Sequence, residues 1–196
     1  MNEELYKDKL IRFNSSEKYE KELDILLMLL DANSDDIILD VGCGIGTAGK
    51  FLSEHTNCQV IGYDVHKYID ANEITFYNSL QKIIKDKLIF SKIYFMHSFA
   101  HILDLEDLLI KIKLMLKHNS EIVIITPNIE FDNYYKKNRN TSHYVPDPTV
   151  VKHFNINEVR TIMELNGYQT LKVEQFGETI YETDICERIF GVFRFI

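Results

Sequence analysis

Three glycines alternate with larger residues in Gly42-Cys43-Gly44-Ile45-Gly46, and an acid, Asp64, closes the later apolar run Val60-Ile61-Gly62-Tyr63. Glycine admits positive φ and lets a ligand lie against bare backbone, so such a turn can receive a bulky polar molecule. An acid at the carboxyl end of the next strand is placed to accept hydrogen bonds from ribose hydroxyls. Asp40, just before the turn, either orients a ligand amino group through water or caps the helix that follows. The bland alternative is a tight turn with no ligand and a solvated strand end. Four histidines, His97, His101, His143 and His153, carry side chains whose pKa lies near working pH. All four are candidates for a general base, with His143 and His101 preferred, although any single histidine is more often structural.

A nicotinamide-binding oxidoreductase is the first rival, because it uses the same strand, turn and acid. Its fingerprint is G-x-G-x-x-G, the third glycine letting the helix pack beside a pyrophosphate. Here the turn reads G-x-G-x-G, with Thr47 at that third position. S-adenosylmethionine (SAM), which has no pyrophosphate, suits this turn better. A non-catalytic SAM-binding or interaction module is the third reading, since a fold alone does not establish chemistry.

These residues need elements to hold them. Tyr19, Leu23, Leu26, Leu27 and Leu30 recur at helical spacing, which predicts an amphipathic helix over 16–31 with Asn14, Ser15 and Ser16 as available caps. Ile37 to Val41 is a short β-branched run with the continuous apolar character of a doubly buried strand. A helix over 47–55 and a strand ending at Asp64 complete a βαβ unit. Further strands are predicted at 74–77, 93–96, 121–126, 168–176 and 191–196, and helices at 80–85, 105–116 and 156–166. Asp104 is the cap of the second of these helices and Gly167 stops the third. Lys117 to Ser120 reads as a turn, and 127–148, which holds all three prolines, as the one irregular region.

Bulk properties bound the function. A chain of 196 residues, 45% hydrophobic and 27% charged, predicts a single domain. No apolar stretch approaches the roughly 20 residues of a membrane span, and the acidic start lacks the form of a signal peptide. A cytoplasmic enzyme is expected. Three cysteines with no C-x-x-C spacing read as reduced thiols, with no metal site. The net charge of -8 disfavours nucleic acid as a partner, since phosphate binding needs clustered Lys and Arg. Composition carries no indication of oligomeric state.

Ile38 to Gly46 resembles the first motif of the class I SAM-dependent methyltransferases, and Val60 to Asp64 resembles the second. His101-Ile102-Leu103-Asp104, the helix after it, Leu116-Lys117 and the run ending Thr126-Pro127-Asn128 are similar to the small-molecule subgroup of that family. The resemblance implies an α/β, Rossmann-like three-layer sandwich with a mostly parallel seven-stranded sheet and an antiparallel C-terminal strand. It also implies one SAM-binding domain over 1–196, with a helical cap at 1–33 and an acceptor-site loop at 129–153. By the same carry-over Gly42, Cys43, Gly44 and Gly46 lie along the methionine moiety of SAM, Asp64 on the ribose and Val65 against the adenosine. Asn78, Ser79 and Leu80 would border the adenine, and Met96 and His97 would approach the methionine end. The implied reaction moves a methyl group to an oxygen or nitrogen of a small-molecule or sugar-derived acceptor.

The sequence also departs from the family. Leu-Glu-His reads Phe99-Ala100-His101, Lys-Pro-Gly-Gly reads Lys117-His118-Asn119-Ser120, and D-P-x-His reads Asp147-Pro148-Thr149-Val150. The aromatic and locally basic segment Phe131 to Tyr144 is read either as an acceptor lid or as a solvated loop. His143 lies in it, and Tyr6, Arg12 and Phe13 are further candidates to close the cleft.

Overall fold

The structure is a computed structural model that describes residues 3–68, 74–137, 149–180 and 183–196, with the side chains of 3–6 and 135 left out. Helix α1 (Glu3–Asn14) leads into α2 (Glu17–Leu30), which starts where the Ser16 side chain accepts the Tyr19 N–H. The predicted helix is therefore α2, and the cap region holds a second helix before it. Strand β1 (Ile37–Val41), helix α3 (Thr47–Thr56) and strand β2 (Gln59–Tyr63) follow as the expected βαβ unit. Then come β3 (Thr75–Tyr77), α4 (Leu80–Lys85), β4 (Phe90–Met96), a 3-10 turn (Phe99–His101) and α5 (Leu105–Lys113). Strand β5 (Leu116–Pro127), α6 (Ile129–Lys137), α7 (Ile156–Leu165), β6 (Tyr168–Thr179) and β7 (Cys186–Phe195) complete the order.

The seven strands form one sheet in the order β3-β2-β1-β4-β5-β7-β6. The pairs among β1 to β5 are parallel, and β7 runs antiparallel to both β5 and β6. Strand alternation divides the core into two faces. Ile38, Tyr94, Val123 and Ile125 pack beneath Leu23, Leu26 and Leu30 of α2 and Leu52 of α3. Leu39, Val41, Ile93 and Phe95 point the other way, toward Leu109 and Ile112 of α5 and Val159 and Met163 of α7. Asp40 shares the α2 face with its register partner Tyr94. Order reverses between β1 and β4, the place where this architecture opens a crevice beyond the strand ends.

Local chemistry explains most boundaries. Asp104 accepts the Asp107 N–H and starts α5, and Gly167, at φ +75°, follows α7 in the left-handed conformation. Two expectations need correction. Residues 117–120 are not a turn before a strand but a bulge within β5: the register with β4 jumps there, and Asn119 takes φ +68°. Ser120 holds the bulge, its hydroxyl donating to Phe90 O and accepting from Lys117 N. The region after Pro127 also opens as helix α6 rather than loop. Asn128 Oδ1 accepts the Glu130 N–H, Glu130 and Asp132 lie in the first turn, and Lys136 and Lys137 lie in the last, all matching the helix dipole. Residues 138–148, with His143, lie outside the described residues.

Candidate functional site

A cleft of about 740 Å³ opens beyond the carboxyl ends of β1, β2 and β4. Its floor includes Asp40, Gly42, Cys43, Gly44 and Asp64, and one wall includes Met96, His97 and Ser98. Helix α1 overhangs it with Lys9, Leu10, Phe13 and Asn14, and Asn14 donates to the Thr47 hydroxyl at 3.1 Å. Of the aromatic and basic residues read as possible closers, Phe13 is brought to the cleft, whereas Arg12 is exposed away from the lining. A smaller cavity of about 330 Å³ adjoins it, lined by Val65, Leu80 and Gln81 among others. Gly42, Asp64, His101 and Ile102 line both spaces.

The glycines do three different jobs. Gly42 sits at φ +76°, and a Cβ there would stand 2.3 Å from Ser98 Cβ, so β1 and the loop after β4 can meet only over bare backbone. Ser98 completes that contact by donating its hydroxyl to Val41 O. Gly44, at φ +53°, has only Leu10 Cδ1 near its vacant Cβ position, at 3.5 Å, and is the glycine that leaves room in the cleft. Gly46, at φ +84°, is the N-cap of α3 and lies outside the cleft lining. The close helix packing assigned to a third glycine is supplied by Gly49, whose added Cβ would lie 3.0 Å from Ile74 and 3.1 Å from Val60. Sequence reading passed over Gly49 because its meaning depends on those two distant neighbours.

The acids are held differently. Asp64 accepts the Gly44 N–H at 3.0 Å through Oδ2 and the His66 N–H at 3.1 Å through Oδ1. Asp40 is 2% exposed, and its Oδ2 meets no hydrogen-bond partner among the described residues. The Tyr94 hydroxyl, at the paired position of β4, eases its charge, yet neither Asp40 Oδ2 nor the Tyr94 hydroxyl completes a hydrogen bond. Burial pushes the Asp40 carboxyl up to about 7, with the Asp64 charge adding to the rise. Cys43 fills the turn, where burial pushes its thiol well above the usual range.

Of the residues proposed for the adenine side, Leu80 and Val65 line the smaller cavity, Val65 at 68% exposure. Asn78 and Ser79 do not line it; Asn78 is exposed and the Ser79 hydroxyl donates to Gln81 Oε1. Met96 and His97 both reach the larger cleft. His101 stands where the two spaces meet, its Nδ1 3.0 Å from the Thr149 hydroxyl. His153 is turned to Asp132, with Nδ1 3.5 Å from Oδ2.

Two further residues escaped the sequence. Glu22 of α2, 3% exposed, contacts His97 Nε2 at 2.5 Å and Arg188 Nε at 2.9 Å. Arg188 of β7 also pairs with Glu187 at 2.9 Å, and Glu187 in turn pairs with Lys18. Burial alone would raise the Glu22 carboxyl, but His97 and Arg188 outweigh it and hold the group below its ordinary value. A lone acid within the apolar stripe of α2 is the only trace of this network in the sequence.

These features suit the parts of SAM. The partnerless Asp40 oxygen calls for a donor such as an amino group, Gly44 leaves bare backbone beside it, and Asp64 offers acceptors between the two spaces. Strand order, antiparallel β7 and the site at the β1 and β2 ends together define a Rossmann-like methyltransferase fold. A family model described as Methyltransferase domain matches residues 12–173, and the chain belongs to that family. It is an enzyme of the methyltransferase class. The dinucleotide and non-catalytic readings are set aside on this ground.

Solved structures agree on the fold. A SAM-dependent methyltransferase from Archaeoglobus fulgidus is 18% identical with a TM-score of 0.71, over 99% of this chain and 100% of that one. Another, from Aquifex aeolicus, is 16% identical with a TM-score of 0.67, over 97% and 98%. The small RNA methyltransferase HEN1 is 16% identical with a TM-score of 0.69, over 90% of this chain and 25% of its own. No curated protein matches the chain. Among the described residues, no helix is long and apolar enough to cross a membrane.

Proposed function

We propose that the cleft holds SAM along Gly42, Cys43 and Gly44 and delivers its methyl group to an oxygen or nitrogen of a small molecule. Asp40 faces the cofactor's amino group, Asp64 takes the ribose hydroxyls, and Val65 and Leu80 border the adenosine in the smaller cavity. When bound, SAM supplies an electrophilic methyl group on a sulfonium. The chain's task is to align an acceptor with it and exclude water, which can contribute about 7–11 kcal/mol without any protein nucleophile. Met96 and His97 form the wall on the acceptor side, and His101 stands at the junction of the two spaces.

The observation that carries this reading is the position of Asp64, fixed by the Gly44 and His66 N–H groups between two adjoining cavities. A small acceptor is favoured by the overhang of α1 and by the net charge of -8, which repels a polyphosphate chain. The same acidity, with three unpaired cysteines, suits a cytoplasmic enzyme. Calorimetry with S-adenosylhomocysteine (SAH) and NAD tests the donor site, with SAH expected to bind and NAD not. Methyl transfer from SAM to small alcohols, phenols and amines, measured beside short RNA, tests the acceptor; preference for RNA would sink the small-molecule assignment.

A further inference from the structure

His97 is held in an unusual way. Its backbone takes φ +59°, a conformation uncommon for residues other than glycine, directly after β4. Backbone of this kind persists where surrounding contacts over-determine it, and it gathers at functional sites. Here those contacts are the His97 N–H to Ile125 O at 2.8 Å, the ring edge-on to Phe13 at 5.3 Å, and Glu22 at Nε2. Among the described residues Nδ1 has no hydrogen-bond partner, and the ring lines the cleft with its side chain 15% exposed.

We propose that His97 is the proton acceptor of the transfer step and Glu22 its positioning residue, so that the acceptor is a hydroxyl compound. An ionised Glu22 requires the ring proton on Nε2, which leaves the Nδ1 lone pair for the cleft. Arg188, on the far side of Glu22, fixes the carboxylate that fixes the ring. His101 lacks such support, since its partner is a neutral hydroxyl. In the step, the acceptor oxygen bonds the methyl carbon and the carbon–sulfur pair leaves with sulfur. The hydroxyl proton passes to Nδ1, giving an imidazolium beside the Glu22 carboxylate. Burial lowers the His97 pKa and Glu22 opposes it, while Arg188 and Lys18 lower it further.

This inference rests on the donor-site reading above, and the measurements separate the two. SAH calorimetry on the wild type tests the donor site alone. With SAH bound, long-range 15N–1H NMR of histidine-labelled protein reads the ring near pH 7.5: a neutral ring protonated on Nε2 is expected, and a proton on Nδ1 or an imidazolium overturns the dyad. Methyl transfer from SAM is then followed on phenols, catechols and polyols. His97→Asn, which tolerates positive φ, is expected to lose about 100-fold in kcat. Glu22→Gln is expected to shift the acid limb of the kcat–pH profile, and Glu22→Asp to restore it. Equal turnover by His97→Asn, or SAH binding with no hydroxyl probe methylated, overturns the proposal.

Discussion

The backbone N–H of Gly44 donates to Asp64 Oδ2 at 3.0 Å, tying the turn after β1 to the end of β2. The two oxygens of Asp64 are thus oriented by Gly44 and His66. Asp64→Asn replaces one acceptor oxygen with a donor facing either an N–H or a ribose hydroxyl. SAH affinity is expected to fall by about 1.5–3 kcal/mol, the usual worth of a charged hydrogen bond. Calorimetry checks this, and unchanged affinity would remove Asp64 from the site.

The glycines of the turn should respond unequally to a methyl group. Gly42→Ala forces a Cβ to 2.3 Å from Ser98 Cβ at φ +76°, for a cost of about 2–5 kcal/mol from strain and overpacking. Gly44→Ala meets only Leu10, at 3.5 Å, and should cost about 1–2 kcal/mol from its backbone alone. Urea unfolding of both variants measures the difference. Equal losses would mean the Ser98 contact does not matter.

Asp40 gives a pH signature to the ligand-free protein. Its folded pKa, about 7, lies above the unfolded value, which is about 3.9. The group's contribution is therefore full below the unfolded value and is lost as pH rises through the folded one. Thermal stability should decline across that window in the wild type and less so in Asp40→Asn, which becomes the more stable of the two near pH 8. Parallel melting profiles from pH 4 to 8 would contradict the buried carboxyl.

Glu22 acts in the opposite sense. Its carboxyl is held below the ordinary value against burial by His97 and Arg188. Such a group contributes stability above its unfolded pKa that is lost as pH falls through the folded value. Glu22→Gln should therefore unfold less steeply in acid, and near pH 7 it should be less stable than the wild type, by less than the roughly 3–5 kcal/mol of a wholly unpaired buried charge because Arg188 keeps Glu187. Denaturant melts at pH 7 and pH 3.5 compare the two effects.

Legibility in the sequence followed distance along the chain. The glycine turn, the cap within residues 14–16, the Asp104 cap and the Gly167 stop were readable because each is decided by residues within a few positions. Helix α6 was hidden because Pro127 reads as a breaker, although Asn128 behind it supplies the cap. Gly49 went unread because only the packing of α3 on Val60 and Ile74 shows that it meets the sheet. The Glu22–Arg188 pair joins residues 166 positions apart, and a lone acid in the apolar stripe of α2 is its local trace.

That separation also orders the birth of the site. Gly42, Gly44 and Asp64 leave the ribosome close together, whereas Glu22 must wait for Arg188 on β7. At roughly 5–20 residues per second, the wait is about 10–30 s. Through it the nascent chain carries a charged carboxylate on a helix meant for the interior. The Glu22–Arg188 pair is thereby completed only once β7 is made, later than the Gly44–Asp64 hydrogen bond.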